Sequence, residues 1–154
     1  MSFYNTNTLP NFTVKDPILS LTKNLLALKS GIVQPITSTV NSNSPVTYTA
    51  EQICNGAIIR TGTLGGSITD TWPTAQEIIS EVESRLKSIK GYTSSIRVGD
   101  NFPLVIINNT NDEINFTGGV GVENNFNSII DGDARLGQII VTSLDPPTLY
   151  VDGL

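Results

Sequence analysis

At 154 residues the chain suits a single domain, and its net charge of -5 with 15% charged residues argues against a phosphate-binding body. It has no histidine and one cysteine, Cys54, so it can build neither an internal disulfide nor a thiol–imidazole nucleophile. No apolar run approaches the length of a membrane span, and MSFYNTNTLPNFTVKD lacks the basic start and apolar core of a signal peptide; the expectation is assembly in a reducing compartment.

Charge is uneven along the chain. Lys15, Lys23 and Lys29 face only Asp16 before Ala50, whereas the part after Gly91 is strongly acidic. The reading is a mildly basic N-terminal arm, residues 1–46, on an acidic β-rich body, residues 47–154. The arm's lysines are too scattered to mark a nucleic-acid site.

Met1 to Val14 is polar with scattered Phe3, Tyr4, Leu9 and Phe12, the pattern of an extended arm that docks on something. Asp16-Pro17 can start a helix, with Asp16 as N-cap and Pro17 in the first position. Ile18, Leu21, Leu25 and Leu28 then form one stripe, and Gly31 ends it. A helix of about three turns is marginal alone. It must pack on the body or on copies of itself, and packing on the body is the simpler reading. Gly31 to Pro45 reads as extended linker, rich in Ser, Thr and Asn.

Thr49 with Gln52 has the spacing of a capping box, which predicts a short turn or helix. Ala57 to Arg60 and Ser67 to Asp70 flank Gly62, Gly65 and Gly66, a pattern that predicts a hairpin. The clearest element follows. Thr74 with Glu77 predicts a second capping box, opening an amphipathic helix over about 74–90. Ile78, Val82, Leu86 and Ile89, joined by Ala75 and Ile79, share its apolar face. Glu81 with Arg85 and Glu83 with Lys87 stand at i,i+4 on the other side, and Gly91 is placed to end it.

Beyond the helix the chain is strand-like. Phe102 to Ile107 is rich in β-branched residues, with Pro103 marking an edge or a strand start. Asn108 to Asp112 reads as a turn. Glu113 to Thr117 alternates with Ile114 and Phe116 inward, and Gly118 to Val122 reads as a bulge or bend. Further strands are expected at Phe126 to Ile130, Gln138 to Ser143 and Leu149 to Asp152, with turns at Asp131-Gly132-Asp133 and Asp145-Pro146-Pro147. The expected fold class is mainly β: an antiparallel sandwich or barrel with one amphipathic helix and an extended or helical N-terminal arm.

Candidate chemistry is sparse. Thr117 to Gly121 lacks the lysine and following helix of a phosphate loop. Asp131, Asp133 and Glu123 could be calcium ligands, but two aspartates around a glycine are more simply a turn. Paired carboxylates for glycoside hydrolysis would want an aromatic platform, and Trp72 is the only tryptophan. Its place before Pro73 at the helix start favours packing. Cys54, between Ile53 and Asn55, reads as a small buried hydrophobe. No catalytic residue, metal or cofactor is expected.

Several blocks together carry a resemblance. They are TAEQICNGAIIR (Thr49–Arg60), TDTWPTA (Thr69–Ala75), VGDNF (Val98–Phe102) and GVGV (Gly119–Val122). In order and spacing they resemble a module of virion structural proteins of large DNA viruses of protists and algae, and of phages. The resemblance spans Tyr48 to Leu154. Cys54 departs from the usual aliphatic residue, and Lys87 to Ser95 is longer than the usual link. The resemblance implies a non-enzymatic minor capsid or decoration protein, located in the virion, that forms a homotrimer and contacts other capsid proteins. Nucleic acid and membrane are not implied as partners. The arm lies outside the matched blocks. Phe3, Tyr4, Leu9 and Phe12 are its candidate partner-binding anchors, with Leu21, Leu25 and Leu28 as a helix interface. The competing reading is a fibre-type carbohydrate-binding module that uses loops near Asn108–Asp112 and Asp131–Asp133.

Overall fold

The computed structural model describes residues 36–88 and 95–153. Among the described residues eight strands and two helices follow one another as β1 (Thr37–Asn41), α1 (Ala50–Cys54), β2 (Ala57–Gly62), β3 (Ile68–Thr71), α2 (Ala75–Ser88), β4 (Asn101–Thr110), β5 (Ile114–Thr117), β6 (Val122–Asn125), β7 (Ala134–Leu144) and β8 (Pro147–Gly153). Six of the strands form one sheet in the order β1-β2-β4-β7-β8-β6, and β3 pairs with β5 in a second, two-stranded sheet.

The body is strand-rich, as expected, but the sheet is mixed rather than antiparallel. The pairs β1–β2, β2–β4 and β6–β8 are parallel. Only β7 runs against its neighbours β4 and β8. The order is open, with β1 at one edge and β6 at the other, so the expected barrel does not close. Opposite the large sheet stand α1, α2 and the small β3–β5 sheet, not a second large sheet. The physical reason lies in the connections. Parallel neighbours need crossovers rather than tight turns. The chain between β1 and β2 carries α1, and the chain between β2 and β4 carries β3 and α2.

That connectivity corrects the hairpin reading of the glycine-rich segment. β2 and β3 enter different sheets, and each pairs with a strand far along the chain. The stretch read as linker is extended, but Thr37–Asn41 is used as strand β1, paired residue by residue with Ala57–Thr61. Phe126–Ile130 is not a strand; from it only Ile129 forms a bridge, to Ile114. Pro103 is tolerated inside β4 because β2 joins β4 only from Val105 on, where the Val105 N–H meets the Gly56 carbonyl. The N–H that Pro103 lacks would face past the start of β2.

Both capping boxes form. The Thr49 hydroxyl accepts from Gln52 N–H while the Gln52 side chain accepts from Thr49 N–H. At the start of α2, Glu77 N–H donates to the Thr74 hydroxyl, and Glu77 Oε2 accepts from Thr74 N–H at 2.8 Å and from its hydroxyl at 2.7 Å. Those two donors hold the exposed Glu77 carboxyl below its usual range. Ala75, Ile78, Ile79, Val82 and Leu86 form the buried face of α2. The Glu81–Arg85 pair closes at 2.7 Å and the Glu83–Lys87 pair at 3.8 Å. Ile89, Lys90 and Gly91 lie outside the described residues.

One continuous core joins the layers. It combines Ile58, Leu104, Ile106, Ile139, Val141, Leu149 and Val151 of the sheet with Ile53, the apolar face of α2, and an aromatic cluster of Tyr48, Trp72, Phe116 and Phe126. Trp72 stacks on Phe116 with centroids 5.1 Å apart and meets Phe126 edge-on at 5.6 Å. Its Nε1–H donates to Asn124 Oδ1 at 2.6 Å. The tryptophan at the helix start therefore packs, as its position predicts.

Candidate functional site

The most concentrated polar chemistry among the described residues is buried and central. Alternation along β2 sends Ile58 and Arg60 to the same inner face, and both have no exposed surface. Arg60 Nε lies 2.9 Å from Asp70 Oδ2 of β3, an ion pair whose two side chains are fully buried. The guanidinium also donates through Nη1 to the carbonyls of Ser42 at 2.7 Å and Thr61 at 2.8 Å, and through Nη2 to the Ser44 carbonyl at 2.7 Å. Asp70 accepts from Val46 N–H at 2.9 Å and from the Tyr48 hydroxyl at 2.7 Å. Burial, reinforced by the charge of Asp70, pushes the Tyr48 phenol well above its ordinary range.

This constellation is a fastening. Its donors and acceptors are engaged by protein groups, and four of its partners lie in the strap between β1 and α1: Ser42, Ser44, Val46 and Tyr48. Backbone bonds complete the attachment, Tyr48 N–H to Thr71 carbonyl and Thr71 N–H to Val46 carbonyl. Sequence reading took Arg60 as the end of an apolar run and Asp70 as the end of another. The available signal was phase: an arginine two residues after Ile58 in a strand points inward with it and needs a buried acid.

Of the two segments considered for ligand binding, Asn108–Asp112 is not simply a turn: Asn108–Thr110 ends β4, paired with Arg60–Gly62 of β2, and both segments are committed internally. Asn108 is fully buried; its Nδ2 donates to the Asp112 and Ile129 carbonyls, and its Oδ1 accepts from Thr110 N–H and hydroxyl. Asp131-Gly132-Asp133 is a turn, with Gly132 at φ 72 donating to the Asn108 carbonyl and Asp133 Oδ1 accepting from Ala134 N–H. No group of three metal-ligating side chains occurs among the described residues. Cys54 is buried. Asp100 Oδ2 accepts from Arg97 N–H at 2.7 Å, and burial pushes its carboxyl above the usual range.

Two surfaces remain. A concavity of about 640 Å³ lies between Thr74 and Gln76 at the start of α2 and Val120, Pro146 and Pro147. Val120, 82% exposed, stands on its rim. The larger feature is the outer face of the six-stranded sheet. Register places Ala57 and Ile59 of β2, Pro103, Val105 and Ile107 of β4, and Ala134, Leu136 and Ile140 of β7 on that face. None of these is buried, and Leu136 is 59% exposed.

The anchors predicted from sequence, Phe3, Tyr4, Leu9, Phe12, Leu21, Leu25 and Leu28, all lie outside the described residues. What the structure does place is the point where their segment joins the body, at the β1 edge. Among the described residues no helix is long and apolar enough to cross a membrane. In comparison with known proteins, the chain matches no family model, no curated protein and no solved structure.

Proposed function

We propose that this chain is a structural assembly protein of the virion type that its sequence blocks resemble: a minor capsid or decoration component that forms a homotrimer and reaches capsomers through its N-terminal arm. The observation that carries the reading is the Arg60–Asp70–Tyr48 fastening, which ties down residues 42–48, the strap directly behind β1, the strand at which the N-terminal segment joins the body. An arm that contacts a neighbour needs such a root, because tension or ordering at its tip is otherwise lost to local unfolding of the strap. In this reading Phe3, Tyr4, Leu9 and Phe12 anchor the arm on the neighbour, and Leu21, Leu25 and Leu28 form a helix interface.

Light scattering on the purified full-length protein tests the self-association. A mass three times that of the chain, stable on dilution, is the expected result. A monomer at all concentrations removes the trimer from the proposal and leaves the capsomer as the only partner to be sought.

A further inference from the structure

The sheet is mixed, but its β1–β2–β4 part is parallel throughout. Parallel strands are usually covered on both faces, and their sequences then read as near-continuous apolar runs rather than alternating ones. β2 and β4 carry such runs: Ala57-Ile58-Ile59 and Leu104-Val105-Ile106-Ile107. β7 continues the pattern with Ile139-Ile140-Val141. Ile58, Leu104, Ile106, Ile139 and Val141 are buried under the helical layer. Their neighbours Ile59, Val105, Ile107 and Ile140 alternate to the other face and are half-buried rather than buried. The face has the composition of a core without its cover.

We propose that the cover is residues 17–30 of the same chain, docked as a helix with Ile18, Leu21, Leu25 and Leu28 against the β2–β4–β7 half of this face. Three observations select that occupant. The apolar half begins one strand in from β1, the strand the N-terminal segment leads into, and Ile36 just before it is 57% exposed. The link Gly31–Pro35 has the length usual between a helix and the strand it feeds. Extended, it spans at most roughly 17 Å, enough to carry the chain the roughly 10 Å across two strand spacings to β4. A helix over 17–30 is about 21 Å long, which suits the length of the apolar rows. The face also matches the stripe in polarity. The β2–β4–β7 half has no charged outward residue; the outward acids, Glu123 and Asp152, lie across β6 and β8.

This inference rests on the sheet's register, not on the virion reading, and it assigns the helix interface a counterpart within the chain. Phe3, Tyr4, Leu9 and Phe12 are then the part of the arm left to reach a partner.

The test is a cysteine scan in the full-length chain with Cys54→Ala as background. Leu21→Cys or Leu25→Cys is combined with Val105→Cys or Leu136→Cys, oxidised at low protein concentration and read on a non-reducing gel. At least one pair is expected to close within a single chain, giving a faster-migrating monomer. The control pair Leu25→Cys with Val120→Cys should not close. Failure of all four pairs, or closure only as dimers and higher species, overturns the proposal; the second outcome would give the face to a neighbouring copy's segment. Independently, Leu21→Asp/Leu25→Asp should leave the circular dichroism of the body's strands intact and raise apolar-dye fluorescence severalfold. Unchanged dye binding in the folded variant counts equally against the docking. Neither readout needs a trimer or a capsid, so failure here is distinct from failure of the proposed function.

Discussion

Arg60, Asp70 and Tyr48 concentrate most of the chain's risk in one place. Two buried opposite charges 2.9 Å apart are tolerable only because the guanidinium has carbonyl acceptors as well and the carboxylate has two further donors. Removing one partner leaves the other buried and unpaired. Arg60→Met should therefore cost about 3–5 kcal/mol, measured as a fall in urea midpoint. Arg60→Met/Asp70→Leu should recover part of that loss, because neither charge is then stranded; a double variant as unstable as the sum of the singles would argue against direct coupling. The phenol adds a pH dependence. Tyr48 is held protonated by burial and by Asp70, so its folded pKa lies above its unfolded one. Its contribution is complete below the unfolded pKa of about 10 and falls as pH rises beyond it, because the unfolded state then releases a proton that the folded state keeps. Denaturation series between neutral pH and pH 11 should show stability dropping above pH 10, and Tyr48→Phe should flatten that drop even though it loses the bond to Asp70.

At the scale of elements, α2 shows how local and tertiary signals agree. The Thr74–Glu77 box starts it, the apolar stripe faces the sheet, and the acid-first pairs lie outside. Thr74→Ala removes the acceptor for Glu77 N–H and should cost about 1 kcal/mol, seen as a lower denaturation midpoint with unchanged slope. A cost near zero would mean that docking of the apolar face, rather than the cap, sets the start of the helix. The turn between β5 and β6 obeys a different constraint. A Cβ on Gly119 would meet the Trp72 carbonyl oxygen at 2.5 Å, and one on Gly121, at φ 76, would meet the Pro147 carbonyl oxygen at 2.6 Å. The glycines that looked like a bend are there because the backbones of three segments converge.

For the molecule as a whole, the core lies within residues 48–151, so deleting residues 1–30 should leave a body that unfolds cooperatively. The same deletion should abolish incorporation into particles if the arm is the contact; normal incorporation would refute the arm model. Loss of cooperative unfolding would instead mean that the N-terminal segment is part of the folding unit rather than a cover on it. How much of this was legible beforehand differs by element. Both capping boxes, the apolar stripe of α2, the inward Ile114 and Phe116, the packing role of Trp72 and the turn at Asp145–Pro147 could be read in the chain, because each depends on residues within a few positions of one another. The hairpin between β2 and β3 and the antiparallel order were misread, because strand partners are chosen across long stretches of chain. An apolar run such as Leu104–Ile107 looks the same beside a parallel or an antiparallel neighbour. By itself the sequence determined where α1 and α2 begin, which residues of α2 and β5 face inward, and that the chain has no histidine. Only the tertiary structure decided that Thr37–Asn41 is a strand, that Arg60 meets Asp70 beneath the strap between β1 and α1, and that an apolar row of β2, β4 and β7 faces away from the described core. Those three facts rest on contacts between distant segments, whose free energy is set by packing and desolvation that no local pattern records.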